Sequence, residues 1–142
     1  MDETAKILVI EDDKFLNKLY SDQLRREGFE VSVAISGEEG LSKALNENPD
    51  LVILDIVLPH KNGFDILSEM KLRRQTKNIP VVILTNLEQD TDIKTGLDLG
   101  AAGYLIKTDF PITKLGEEVR KYLVINSKLS DKGKKRSSAR AL

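Results

Sequence analysis

The chain has 142 residues, 40% apolar and 32% charged, with a net charge of −1, one histidine and no cysteine. That length and mix fit one globular domain with its own core rather than a disordered or membrane protein, and no apolar run approaches the roughly 20 residues of a membrane span. The missing cysteines exclude disulfides, thiolate metal sites and a cysteine nucleophile, fit a reducing cytoplasm, and the acidic start Met1-Asp2-Glu3 does not follow the plan of a signal peptide.

Apolar runs and amphipathic stretches alternate five times. Ile7-Leu8-Val9-Ile10 is continuously apolar and predicts a buried strand. A helix is expected over about 13–27, with Leu16, Leu19, Tyr20 and Leu24 on one face and Gly28 ending it. Val31-Ser32-Val33-Ala34 alternates as a second strand. Ser36-Gly37-Glu38-Glu39 has the form of a capping box, and its helix carries Leu41, Ala44 and Leu45 inward and stops near Asn48-Pro49. Leu51-Val52-Ile53-Leu54 is the third strand, and the turn 58–63 leads to a helix bearing Phe64, Leu67 and Met70. Val81-Val82-Ile83-Leu84 is the fourth strand. A weaker helix is expected over about 88–99, with Gly96 inside it costing roughly 1 kcal/mol against alanine. Tyr104-Leu105-Ile106 is the fifth strand. The last helix opens near Pro111, at a first helical position, and buries Ile112, Leu115, Val119 and Tyr122.

Continuous apolar strands alternating with helices predict an α/β fold, a doubly wound parallel sheet covered on both faces. Ligands in such folds bind at the carboxyl ends of the strands. There the sequence puts Glu11-Asp12-Asp13, Asp55, Thr85-Asn86 and Lys107-Thr108. Each has an ordinary reading alone: Asp12 or Asp13 as a helix cap, Asp55 as a turn acid, Thr85 as a strand end, Lys107 as a surface lysine. Together they point elsewhere. Acids converging on one rim repel one another and call for a cation, and oxygen ligands without cysteine or several histidines suit Mg²⁺. A carboxylate beside such an ion can act as a nucleophile toward phosphorus, with Thr85 and Lys107 contacting phosphoryl oxygens.

At these residues the sequence resembles the receiver domain of bacterial two-component response regulators, and is similar to the single-domain chemotaxis type. The resemblance rests on Ile7 to Asp13, Leu54-Asp55-Ile56-Val57-Leu58-Pro59, Asn62-Gly63, Ile83-Leu84-Thr85 and Gly100 to Lys107, and it covers about residues 5–124. It implies a flavodoxin-like (βα)5 fold with strand order 2-1-3-4-5 and a receiver domain over 1–125. It implies that Asp55 accepts a phosphoryl group. Asp12 would bind Mg²⁺ directly and Glu11 through water, with Asp55 and the backbone carbonyl of Val57 as further ligands, while Asp13 starts the helix. Thr85 and Lys107 would contact the phosphoryl group, and Tyr104 would be the switch aromatic that turns inward with Thr85. The implied partners are a sensor histidine kinase or phosphotransfer protein and a downstream output protein. The face of helix 4, strand 5 and helix 5 would carry the signal and also allows a weak dimer. Such a domain is no enzyme beyond catalysing its own phosphorylation and dephosphorylation, and the expected location is the cytoplasm.

Three departures stand out. Thr108 replaces the proline that usually follows the lysine, often through a cis bond; before a non-proline residue that bond costs roughly 2.5–4 kcal/mol, which leaves the loop geometry open. The aromatic of the usual Lys-Pro-Phe moves one place along, to Phe110. Asn86 replaces a small residue. Val57 and Leu87, at positions where receivers tune dephosphorylation, are apolar, and the expectation is a long-lived phosphorylated state.

The last 17 residues, 126–142, hold six lysines or arginines against one aspartate, so an acidic domain precedes a basic tail. Its composition predicts disorder, and it has no interleaved aromatics to stack on bases. It is too short for a DNA-binding output domain, which suggests a stand-alone receiver or a piece of a longer chain. Three other readings remain beside the phospho-switch. A phosphatase working through an aspartyl phosphate commonly has a second acid two residues after the nucleophile, where this chain has Val57. A flavodoxin-like cofactor binder would need a glycine-rich loop where Glu11-Asp12-Asp13 stands. A degenerate receiver would bind partners without phosphorylation.

Overall fold

Four or five apolar residues in a row leave a strand no polar face, so it must lie inside a sheet covered on both sides. The computed structural model, which describes residues 4–126, has three such strands at its centre. They are β1 (Lys6–Ile10), β3 (Leu51–Leu54) and β4 (Val81–Thr85), flanked by β2 (Glu30–Ala34) and β5 (Gly103–Ile106). All pairs are parallel and the order is β2-β1-β3-β4-β5, as the resemblance implied.

Alternate residues of the central strands feed two cores. Leu8, Ile10, Val52, Leu54, Val81 and Ile83 face α2 (Gly37–Glu47) and α3 (Gly63–Leu72), and Tyr104 of β5 packs against the same cluster. Ile7, Val9, Leu51, Ile53, Val82 and Leu84 face α1 (Lys14–Arg26) and α5, the helical residues 115–126. Each such side chain contributes about 1.5–3 kcal/mol when fully buried. By that measure α4 (Asp90–Asp98) is the least anchored helix, since Gly96 is its one fully buried residue.

The helices start and stop at the expected residues at Asp13, Ser36, Gly28 and Asn48, and Asn62 adds a cap that the sequence reading leaves within a turn. Asp13, Ser36 and Asn62 cap α1, α2 and α3 by accepting from Leu16 N, Glu39 N and Asp65 N at 3.0, 3.2 and 3.1 Å. Gly28 follows α1 with φ +97°, and Asn48 closes α2 in the left-handed region. The exposed edge of β2 is covered by side chains: Arg25 Nη2 donates to Val31 O at 3.1 Å and Lys43 Nζ to Val33 O at 2.6 Å, which denies those carbonyls to another strand.

Some expectations shift. Leu19 points outward, 39% exposed, and the inner stripe of α1 is instead Asn17, Tyr20, Ser21 and Leu24. Phe64 is half-buried, and Ile66 joins Leu67 and Met70 inside α3. Pro111 stands one place earlier than expected, just before a 3-10 turn at Ile112–Lys114 that leads into α5. The basic run after Asn126 lies outside the described residues.

Candidate functional site

Parallel pairing brings every strand's carboxyl end to one rim. Ile10 pairs with Leu54, and Asp55 N donates to Ile10 O at 3.0 Å, so the acids after β1 meet the aspartate after β3. Thr85 pairs with Ile106, and Lys107 N donates to Thr85 O at 2.8 Å, which carries the lysine to the same place. The β3–α3 loop folds back beneath Asp55 because residue 63 is glycine: a Cβ there would fall on the Asp55 carbonyl oxygen and 2.7 Å from Ile56 Cα.

The predicted residues converge. Glu11, Asp12 and Asp55 each offer a carboxylate oxygen within 4.8 Å of the others. Glu11 and Asp55 are 2% and 5% exposed, whereas Asp12 is open to solvent. Burying such charges costs several kcal/mol each unless they are paired. Lys107 supplies the pairing, with Nζ 2.7 Å from Asp55 Oδ2 and 2.6 Å from Glu11 Oε1. The lysine's double contact is more than its place in the sequence foretells. Burial pushes the Glu11 carboxyl up to about 7, helped by the charge of Asp55 and opposed by Lys107 and the Asp13 N–H. Burial alone would lower Lys107, but its hydrogen bond to Asp55 and its close charge contacts with Asp55 and Glu11 outweigh this and hold it above the ordinary lysine value.

The donor set suits a hard cation. All three side chains present oxygen, and buried Glu11 Oε1 has the Lys107 ammonium as its ion partner but no hydrogen bond, while Oε2 accepts from Asp13 N at 3.0 Å. Glu11, Asp12 and Asp55 fit Mg²⁺ on that ground.

Thr85 is fully buried, and its Oγ1 accepts from Leu87 N at 3.4 Å. Tyr104 leans inward, its hydroxyl donating to Leu87 O at 2.7 Å. Burial, with the nearby charges of Asp92 and Asp55, pushes its phenol up to about 12. Val57 N donates to Asp55 Oδ1 at 3.2 Å, and the Val57 side chain, 57% exposed, lines the cleft together with Asn86. The loop after β5 resolves the question of Thr108. No cis bond occurs among the described residues; Asp109 N and Phe110 N both donate to Ile106 O at 3.0 Å, and Phe110 packs against the core shared by α1 and α5. The displaced aromatic thus keeps a core role without the proline.

Sequence reasoning missed Asn17, buried behind the acidic loop. A polar residue on the inward face of a predicted amphipathic helix, one turn after the cap, was the available signal.

The sequence matches the response regulator receiver domain family over residues 7–120. It is 44% identical over 102 residues to the transcriptional regulatory protein CpxR of Klebsiella pneumoniae, covering 72% of this chain and 42% of that protein. It is 39% identical over 106 residues to the alkaline phosphatase synthesis transcriptional regulatory protein PhoP of Bacillus subtilis, covering 75% and 43%. The chain thus spans about half the length of the curated relatives it matches. Among solved structures it is similar to a CheY-like receiver domain protein from Methanospirillum hungatei, at 28% identity and TM-score 0.81 over 89% of this chain and 98% of that one. It is also similar to the BeF3-activated N-terminal receiver domain of Klebsiella pneumoniae RstA, at 33% identity and TM-score 0.76 over 83% and 97%.

Proposed function

The chain belongs to the response regulator receiver domain family, signalling domains of two-component systems, and from that membership we propose that, in the cytoplasm, it takes a phosphoryl group from a sensor histidine kinase or phosphotransfer protein onto Asp55. The phosphorylated domain then shifts its α4–β5–α5 face, and with it the docking of an output protein. One observation carries the reading: Asp55 is buried at the end of β3 with Lys107 Nζ at 2.7 Å and two further acids beside it.

In the transfer, an Asp55 carboxylate oxygen bonds to phosphorus, the donor's P–N bond breaks, and its electron pair returns to the donor imidazole. Lys107, already at the carboxylate, turns to a phosphoryl oxygen, and the Thr85 hydroxyl donates to another. Asp12, Asp55 and the Val57 carbonyl would hold Mg²⁺, with Glu11 reaching it through water, and the ion would supply neutralisation of the phosphoryl charge.

Signal passage has a short path. Leu87 donates its N–H to Thr85 and accepts from Tyr104 through its carbonyl. A phosphoryl group brings about −1.5 to −2 charge. Drawing Thr85 toward it acts on the Leu87 backbone and through that on Tyr104. The result is a population shift, limited by how differently the two arrangements bind the phosphoryl group.

Incubation with acetyl phosphate and Mg²⁺, followed by intact-mass measurement, tests the acceptor. One phosphoryl adduct is expected on the wild type and none on Asp55→Asn. An unmodified wild type would favour partner binding without phosphorylation. Continuous release of inorganic phosphate from many substrates would favour an enzyme.

A further inference from the structure

A primary amide inside a protein is costly unless its hydrogens are bonded, so a buried asparagine marks something held in place. Asn17 is 4% exposed on the inner face of α1. Its Nδ2 donates to the carbonyl of Glu11 and to the carbonyl of Ala34, each at 3.0 Å. The single proton of the Ser21 hydroxyl is shared between Asn17 O, at 2.6 Å, and Asn17 Oδ1, at 3.2 Å.

The two carbonyls are not arbitrary. The β1–β2 ladder ends at the pair Ile10–Ala34, and Glu11 N makes a last bond to Ala34 O at 3.0 Å. Beyond it the chain leaves the sheet to form the acidic loop. The Glu11 carbonyl belongs to the peptide that joins Glu11 to Asp12. Holding its oxygen toward α1 fixes the plane of that peptide, and so the direction in which both acidic side chains leave the backbone. The second N–H ties this peptide to the end of β2, so the loop is braced from the helix and from the neighbouring strand.

We infer that Asn17 is a positioning residue for the cation site: it touches neither ion nor phosphoryl group, and sets the Glu11–Asp12 peptide so that both carboxylates face Asp55. The inference rests on reading Glu11 and Asp12 as cation ligands and adds a residue behind them. Groups that orient metal ligands typically affect affinity by about 10–100-fold. Ser21 braces Asn17 but touches neither carbonyl, which makes it the control.

Calorimetric titration with MgCl₂ tests this on wild type, Asn17→Ala and Ser21→Ala, each at a temperature where circular dichroism shows it folded. Affinity measured on folded protein does not move with stability alone. Asn17→Ala is expected to bind Mg²⁺ about 10–100-fold more weakly, and Ser21→Ala as the wild type does. Should Asn17→Ala not fold, the wild type still answers: the Asn17 side-chain amide signals in a nitrogen–proton spectrum should shift in step with Mg²⁺ saturation. Equal affinity in folded Asn17→Ala, or Asn17 signals unmoved at saturation, overturns the inference and leaves the cation site standing. No Mg²⁺ binding by the wild type overturns the reading of Glu11 and Asp12 beneath it.

Discussion

Val57 sits at the cleft mouth two residues after Asp55, and Leu87 is half-buried two residues after Thr85. Neither side chain can hydrogen-bond a water aligned for attack on an aspartyl phosphate. The phosphorylated state should therefore persist, and Val57→Asn and Leu87→Glu should each hydrolyse several-fold faster in a phosphate-release assay. A rate that stays the same or falls in both variants contradicts this. Tyr104 gives a pH signature. Its phenol, ordinarily near 10, is pushed up to about 12, chiefly by burial. Between those values the unfolded chain loses the proton and the folded one keeps it, so stability is lost as pH rises through that window. Urea unfolding at pH 9 and pH 11 should show a larger loss for the wild type than for Tyr104→Phe. At this scale the convergence of Asp55, Glu11, Asp12, Thr85 and Lys107 was readable from the strand ends. Asn17 left only the trace of a polar residue on an inward face, and its role is invisible until the Glu11 and Ala34 carbonyls behind it are placed. Lys107's second contact, with Glu11, was equally hidden, since it depends on where a long side chain turns.

The sequence marks Gly96 as a weak point of α4. The packing gives it a further role. A Cβ at 96 would lie 2.7 Å from Ile83 Cδ1 and 3.0 Å from Tyr104 Cδ2, so the glycine makes the slot that receives the tyrosine ring. Alanine would gain about 1 kcal/mol in helix propensity, while overpacking costs about 1–3 kcal/mol. Overpacking should win: Gly96→Ala should lower unfolding stability by about 1 kcal/mol and expose Tyr104. A gain of about 1 kcal/mol would mean that Gly96 is only tolerated. Strands β1, β3 and β4 were legible because burial on both faces leaves only apolar residues. Leu19 was misplaced because apolarity was the only guide to the inner face of α1, and Asn17 and Ser21 occupy that face by bonding to backbone.

Across the whole molecule, the proposed chemistry and the proposed output occupy different places. On the proposed function, phosphoryl transfer would belong to the rim where β1, β3, β4 and β5 end, and the output face would be carried by α4, β5 and α5. Between them lie Thr85, the Leu87 backbone and Tyr104. The doubly wound sheet and the rim were readable from alternating runs alone, since a parallel sheet requires crossovers and puts all carboxyl ends together. That Leu87 serves Thr85 and Tyr104 at once was not readable, because it depends on backbone placement in an irregular loop. Amide hydrogen exchange by mass spectrometry tests this coupling most directly, comparing wild type and Asp55→Asn with and without acetyl phosphate and Mg²⁺. The account predicts altered exchange across residues 86–107 in the wild type and none in Asp55→Asn. A fully phosphorylated wild type with unchanged exchange over that stretch would contradict it.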